Sequence, residues 1–152
     1  MRMVLCAAAA AAWVATATAA PATPIRPAAR AGIDSTNLVS KLPGKWRGSR
    51  FEAGSSIQHP FTMEWKKASD GHLEAKVSVA KEPSYQTSVV WTSDTNYVTE
   101  SAPHRSVALN EEVVTRTVSH LKGDSVTGTF ELRPTSYEGR TMKGRFTAVR
   151  QK

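Results

Sequence analysis

Four histidines are the residues of this chain that most readily suggest chemistry, as ring donors, acceptors or metal ligands. They are His59, His72, His104 and His120. Metal sites commonly use histidine pairs at close spacing, and none of the four has such a partner. We therefore expect no metal site and no resident cofactor.

His59 is the histidine with the most informative position. Alternate residues of a β-strand share one face, so His59 falls on the same face as Phe61, Met63 and Trp65. Such an imidazole would either hydrogen-bond a ligand in the protein interior or lie at a rim, satisfied by a neighbour or by water. His104, in a turn-like stretch, could lie at the same rim.

Aromatic side chains form the second group of candidates. Trp65 continues the apolar face that carries His59, and Trp91 has the same strand parity as Thr87 and Val89. Ligand pockets are mostly apolar with a few polar groups, although an interior filled by side chains would show the same pattern. The candidate ligand-binding residues are His59, Phe61, Met63, Trp65, Trp91 and Tyr97.

No catalytic motif accompanies these side chains. The chain has no G-x-S-x-G elbow, no phosphate-binding glycine loop and no H-E-x-x-H sequence. Glu111 and Glu112 are adjacent, and neighbours on a strand point to opposite faces. We therefore expect a protein that is not an enzyme. An enzymatic alternative would need convergent polar groups, for example around His59 and Glu52.

The N-terminal segment is typical of a secretory signal. Arg2 precedes an alanine-rich apolar run that contains Cys6, and Ala17-Thr18-Ala19 supplies an A-x-A cleavage site. A membrane span would need about 20 mainly apolar residues, and this run is interrupted by threonine. We predict a signal peptide over residues 1–19, and a secreted or periplasmic protein without cysteine after its removal.

Two further segments follow the predicted signal. Residues 20–42 are rich in proline and alanine and predict a spacer, with a possible short helix before Pro43-Gly44. Residues 43–152 form one predicted domain. Its apolar residues alternate with polar ones in clear pairs of strands, 57–66 with 72–79 across an Asp-Gly turn, and 126–133 with 141–148.

Weaker strands are expected between these pairs, over 86–93, 96–101, 105–109 and 113–121. About eight strands at this spacing leave no room for crossover helices, so the fold class is all-β, an antiparallel up-and-down meander. Closing the meander into a barrel covers one apolar face per strand and removes the exposed edges. A two-sheet sandwich is the alternative.

Gly44-Lys45-Trp46, at the start of the first strand, resembles the opening signature of the lipocalin and calycin group. The resemblance implies that Trp46 closes one end of the barrel and packs on an arginine of the last strand. Arg150 matches that position, with Arg145 as the alternative. A guanidinium on an indole face is a favourable contact.

The charge distribution narrows the possible partners. The chain carries 20 Lys and Arg against 13 Asp and Glu, a net charge of +7, and the cations are dispersed. Nucleic-acid binders cluster their cations and often add stacking aromatics, so we expect no nucleic acid. The leading hypothesis is a monomeric, non-enzymatic binding module for a small apolar or amphipathic ligand. The alternative is an interaction barrel whose basic surface contacts anionic cell-envelope components.

Overall fold

The structure is a computed structural model that describes residues 36–136 and 139–152. The predicted signal peptide and the proline-rich part of the predicted spacer lie outside these residues. The elements are one short helix and nine strands: α1 Thr36–Lys41, β1 Gly44–Glu52, β2 Gln58–Lys67, β3 Leu73–Val79, β4 Tyr85–Thr92, β5 Asn96–Ser101, β6 His104–Ser106, β7 Glu111–Lys122, β8 Ser125–Pro134 and β9 Met142–Arg150.

Eight of the strands close into an antiparallel barrel. Neighbours along the chain pair in sequence from β1 to β5 and from β7 to β9, β9 pairs back onto β1, and β5 pairs with β7 across the gap left by β6. β6 pairs with β7 beside the ring. The predicted all-β meander closing into a barrel of about eight strands is confirmed.

The period-two pattern of the sequence determines which side chains fill the barrel. In β3, Leu73, Ala75 and Val77 are buried, while Glu74 and Lys76 between them face outward. The same alternation in β2 and β9 brings Phe61 and Phe146 edge to face inside the barrel, with ring centres 5.8 Å apart. The core is therefore one continuous cluster inside the ring.

One predicted strand is shorter than expected. The sequence predicted a strand over 105–109, but pairing ends at Ser106 and residues 107–110 form a turn. Asn110 has a φ of 55°, in the left-handed region that extended strands do not use. The backbone N–H groups of Val107 and Ala108 donate to a side chain, Glu82, instead of to a strand.

The end of the barrel that holds Trp46 is closed by α1 and apolar side chains. Leu38 and Leu42 are buried against the core, and the buried Trp46 indole donates its Nε1–H to the Leu42 carbonyl oxygen at 2.9 Å. We call this the helix end of the barrel. The opposite end carries the β3–β4 turn and the 107–110 turn.

Arg150 ties the elements of the helix end together. Its guanidinium carbon lies 4.5 Å from the centre of the Trp46 ring, and Nη1 donates to the Pro43 carbonyl oxygen at 2.6 Å. Nη2 donates to the Lys41 carbonyl oxygen, and Nε donates to Asp124 at 2.9 Å. One side chain thus joins the last strand to the helix, the first strand and the β7–β8 turn.

We predict that Arg150→Met lowers the free energy of unfolding by about 2–3 kcal/mol, because it removes a cation–π contact and several charge-assisted hydrogen bonds. Arg145→Met is the matched control, since Arg145 lies 5.4 Å from the centre of the Phe51 ring on the exposed face of the same strand. Its loss should cost about 0.5–1 kcal/mol. Urea unfolding measures both, and equal losses would contradict the special role of Arg150.

Candidate functional site

The barrel encloses a small cavity of about 40 Å³ with two chemically different walls. This volume holds roughly three water molecules. One wall is apolar and is formed by Phe61, Met63, Val77, Val79, Phe130 and Phe146. The other wall carries hydroxyl groups from β4, β5 and β7: Thr87, Thr99, Thr115, Thr117 and Ser119.

The hydroxyl wall results from threonine and serine at inward positions of three adjacent strands. Thr99 and Thr117 share a hydrogen bond at 2.7 Å, and Thr117 contacts Ser119 at 3.3 Å. Short hydroxyls occupy less space than the phenylalanines opposite, so the cavity lies where the two walls face each other. The site is therefore amphipathic, with one apolar wall and one wall of hydroxyl groups.

Three residues that line this cavity each carry a buried donor atom with no hydrogen-bond partner among the described residues. They are Nε of Arg50, Nε1 of Trp65 and the hydroxyl of Tyr97, on residues that are 7%, 2% and 1% exposed. Unsatisfied buried polar groups are rare in folded proteins, and leaving one without a partner costs about 1–3 kcal/mol. Three of them around one cavity indicate a place for acceptor atoms.

Tyr97 presents its hydroxyl as a neutral donor. Burial raises its pKa well above the usual range, and the nearby Ser119 hydroxyl offsets only part of that rise without making a well-formed hydrogen bond. The Trp65 and Tyr97 rings meet edge to face, with centres 5.8 Å apart. This contact fixes the position of both donors.

A buried ion pair lies toward the opposite end of the cavity. Nη2 of Arg50 is 3.6 Å from Oε1 of Glu82, and both side chains are largely buried. The Arg50 guanidinium carbon also lies 5.6 Å from the centre of the Phe130 ring. Glu82, in the β3–β4 turn, accepts hydrogen bonds from the N–H of Val107 at 2.8 Å and of Ala108 at 3.1 Å.

His104 and Tyr85 form a stacked pair near this ion pair, with ring centres 3.9 Å apart. The imidazole Nδ1 lies 3.1 Å from the Ala102 carbonyl oxygen, which can only accept, so Nδ1 carries the proton. Nε2 then accepts from the Thr115 hydroxyl at 3.3 Å. Burial lowers the pKa of His104, with a smaller opposing contribution from the Ala102 hydrogen bond.

Four of the predicted ligand-binding residues come together at the cavity: Phe61, Met63, Trp65 and Tyr97. His59 does not line it. His59 shares their strand parity but lies partly exposed at the rim, with Nε2 3.6 Å from Oε1 of Glu52. The sequence left two positions for His59, inside the barrel or at its rim, and the structure places it at the rim.

The inward position predicted for Trp91 is wrong. Trp91 is 50% exposed on the outer face, although Thr87 and Val89 on the same strand are buried. A β-bulge between Val89 and Trp91 shifts the pairing with β5 by one residue. Such a shift moves a side chain to the other face.

Sequence reasoning also missed Arg50 and Glu82. Arg50 has the parity of Trp46 on β1, so strict alternation places it inside the barrel, but arginine is rarely fully buried and its charge gives no sign of an interior role. Glu82 lies in a turn without a periodic pattern. Its partners are 24 to 32 residues away in sequence, and nothing local identifies them.

The outer surface carries cations that are partly neutralised. A groove of about 820 Å³ on this surface includes Arg116, Arg133, Lys143 and Arg145. Arg116 pairs with Glu100, and both Arg133 and Lys143 pair with Glu131. Arg145 lies over Phe51.

Two features are absent from the described residues. They contain no group of three or more side chains that could hold a metal ion. Among them no helix has the length and apolar character that crossing a membrane requires.

We predict that stability falls when the pH drops below about 6.5, because His104 has a lowered pKa in the folded state. The unfolded chain then takes up a proton before the folded protein does. The contribution is fully present above the unfolded pKa and is lost as the pH falls through the folded pKa. NMR titration should place His104 below 6.5, and His104→Gln should weaken the dependence. A His104 pKa above 6.5 would contradict this.

Comparison with known proteins identifies no relative of this chain. No protein-family model, curated protein or solved structure matches the chain. The closed antiparallel barrel is consistent with a lipocalin-like architecture. The functional argument therefore rests on the cavity, its three unpartnered donors and the ion pair at one end.

Proposed function

We propose that this protein is a secreted or periplasmic, non-enzymatic binding module that holds a small amphipathic ligand inside its lipocalin-like barrel. The observation that carries the proposal is the group of three buried donors, on cavity-lining Arg50, Trp65 and Tyr97, that have no partner among the described residues. A ligand that brings hydrogen-bond acceptors would satisfy groups that are otherwise costly to bury.

The two walls of the cavity support an amphipathic ligand. An alkyl or aromatic body fits the wall of Phe61, Val77 and Phe146, and polar atoms fit the hydroxyl wall opposite. A ligand larger than the roughly three waters that 40 Å³ can hold must enlarge the space. Met63 lines the cavity, and its flexible side chain is suited to such repacking.

Two measurements test the proposal. Native mass spectrometry and organic extraction of the purified protein should detect a bound small molecule. In addition, titration with 1-octanol should shift the NMR signals of the Trp65 indole N–H and of the Tyr97 ring. No retained molecule, together with no response of these signals, would overturn the proposal.

We predict that Tyr97→Phe leaves the ligand-free protein equally stable or stabilises it by about 1 kcal/mol, because it removes a buried hydroxyl that lacks a partner. The same change should weaken ligand binding several-fold. Tyr85→Phe is the control: the Tyr85 side chain is only partly buried and its hydroxyl is not among the buried groups without a partner, so its removal should not stabilise the protein. Thermal unfolding and ligand titration of both variants provide the comparison.

The alternative function is an interaction barrel whose basic surface contacts an anionic envelope component. The four cations around the outer groove favour it, although three of them already pair with Glu100 or Glu131. Binding to anionic vesicles that disappears as salt rises to about 0.2 M, where screening is strong, would support it. Absence of vesicle binding, together with a retained small molecule, would support the interior site.

A further inference from the structure

We infer that Glu82 gates the barrel, and that an anionic group on the ligand opens it by replacing the Glu82 carboxylate on Arg50. The inference rests on the proposed function and deepens it, because it specifies the charge of the ligand and the route of entry. It depends on Arg50, on the 107–110 turn, and on Glu82, which is both the ion-pair partner of Arg50 and the acceptor for backbone N–H groups of that turn.

Arg50 is a buried cation with incomplete partners. Its nearest carboxylate, on Glu82, is 3.6 Å away from Nη2, whereas a charge-assisted hydrogen bond between these groups is about 2.7–2.9 Å long. Nε has no partner among the described residues. A guanidinium can bind a carboxylate with two parallel hydrogen bonds. Arg50 therefore has unused capacity for an anion, on a side chain that lines the cavity.

Glu82 is the acceptor that keeps the 107–110 turn in place. One oxygen accepts the Val107 N–H, and the other accepts the Ala108 N–H and is 3.5 Å from the Ser106 hydroxyl. Leu109, in the same turn, is partly buried and packs against the core. The turn lies at the end of the barrel opposite α1, where the Glu82 carboxylate acts together with the packing of Leu109 and the hydrogen bond from the Leu109 N–H to the Ser106 hydroxyl at 3.3 Å.

Charge balance favours exchange over simple addition. Two carboxylates beside one buried guanidinium would leave an uncompensated negative charge in the interior, which is expensive. If the ligand's anion takes the place of Glu82, Arg50 keeps one negative partner and Glu82 moves into water. The N–H groups of Val107 and Ala108 then lose their acceptor, and the 107–110 turn at this end of the barrel is released.

The test compares octanoate with 1-octanol and acetate at pH 7.5. Octanoate carries the anion and the chain, 1-octanol only the chain, and acetate only the anion. Octanoate should bind about tenfold more tightly than 1-octanol, which is within the usual range of coupling between two contacts, and acetate should not bind measurably. Arg50→Gln should abolish the difference between octanoate and 1-octanol.

Glu82→Gln should strengthen octanoate binding about tenfold and leave 1-octanol binding unchanged, because the competing charge is gone. Glu100→Gln is the matched control: Glu100 is an exposed carboxylate on the outer face of β5 and pairs with Arg116 at 3.3 Å. The affinity of this control variant for octanoate should equal that of the unmodified protein. A gain of equal size in both variants would indicate a general charge effect and would overturn the gate.

Hydrogen exchange gives a direct readout in the unmodified protein. Saturation with octanoate should speed exchange at the amides of Val107 and Ala108, and saturation with 1-octanol should not. The Leu121 amide, which donates to the Thr95 carbonyl oxygen at 2.7 Å at the helix end, should stay protected in both cases.

The outcomes separate this inference from the proposed function. Equal binding of octanoate and 1-octanol, or octanoate binding with unchanged protection of Val107 and Ala108, overturns the gate but leaves an interior binding site. Binding of neither amphiphile, to the unmodified protein or to Glu82→Gln, counts against both.

Discussion

The closure of an eight-stranded ring determines what the inside of this protein can be. A barrel of this size is just wide enough for its own side chains or one small ligand. Every inward residue therefore competes for the same narrow space, and every polar atom placed there is costly unless it finds a partner nearby. The phenylalanines of β2, β8 and β9 fill most of the interior, while the hydroxyl-bearing strands leave a small polar gap.

The two ends of the barrel are closed by different physical means. At the helix end, apolar burial of Leu38 and Leu42 is combined with Arg150 on Trp46, and no single competitor in solution can replace that set of contacts. At the other end, the seal depends on Glu82, whose charge can be matched by another anion. Apolar burial offers no charge that a ligand could match, whereas an ionic contact can be exchanged for another of the same charge.

Much of the fold followed from alternation in the sequence, because one buried face per strand enforces a period of two. Phe61, Met63 and Trp65 were placed inside on that basis, and they line the cavity. Trp91 was misplaced, since a bulge changes parity without a local signal. Glu82 could not be found, because the backbone groups that it holds reach it only after the ring has closed.

The position of α1 also determines at which end of the barrel the described chain is connected to neighbouring segments. In the described chain, α1 leads into β1 through Leu42, which accepts a hydrogen bond from Trp46, and β9 ends at Arg150, which pairs with Trp46 across β1 and β9. Both connections to any neighbouring segment therefore emerge at the same end. A partner joined after Lys152 would therefore be attached at the helix end, and the turn held by Glu82 lies at the opposite end of the barrel.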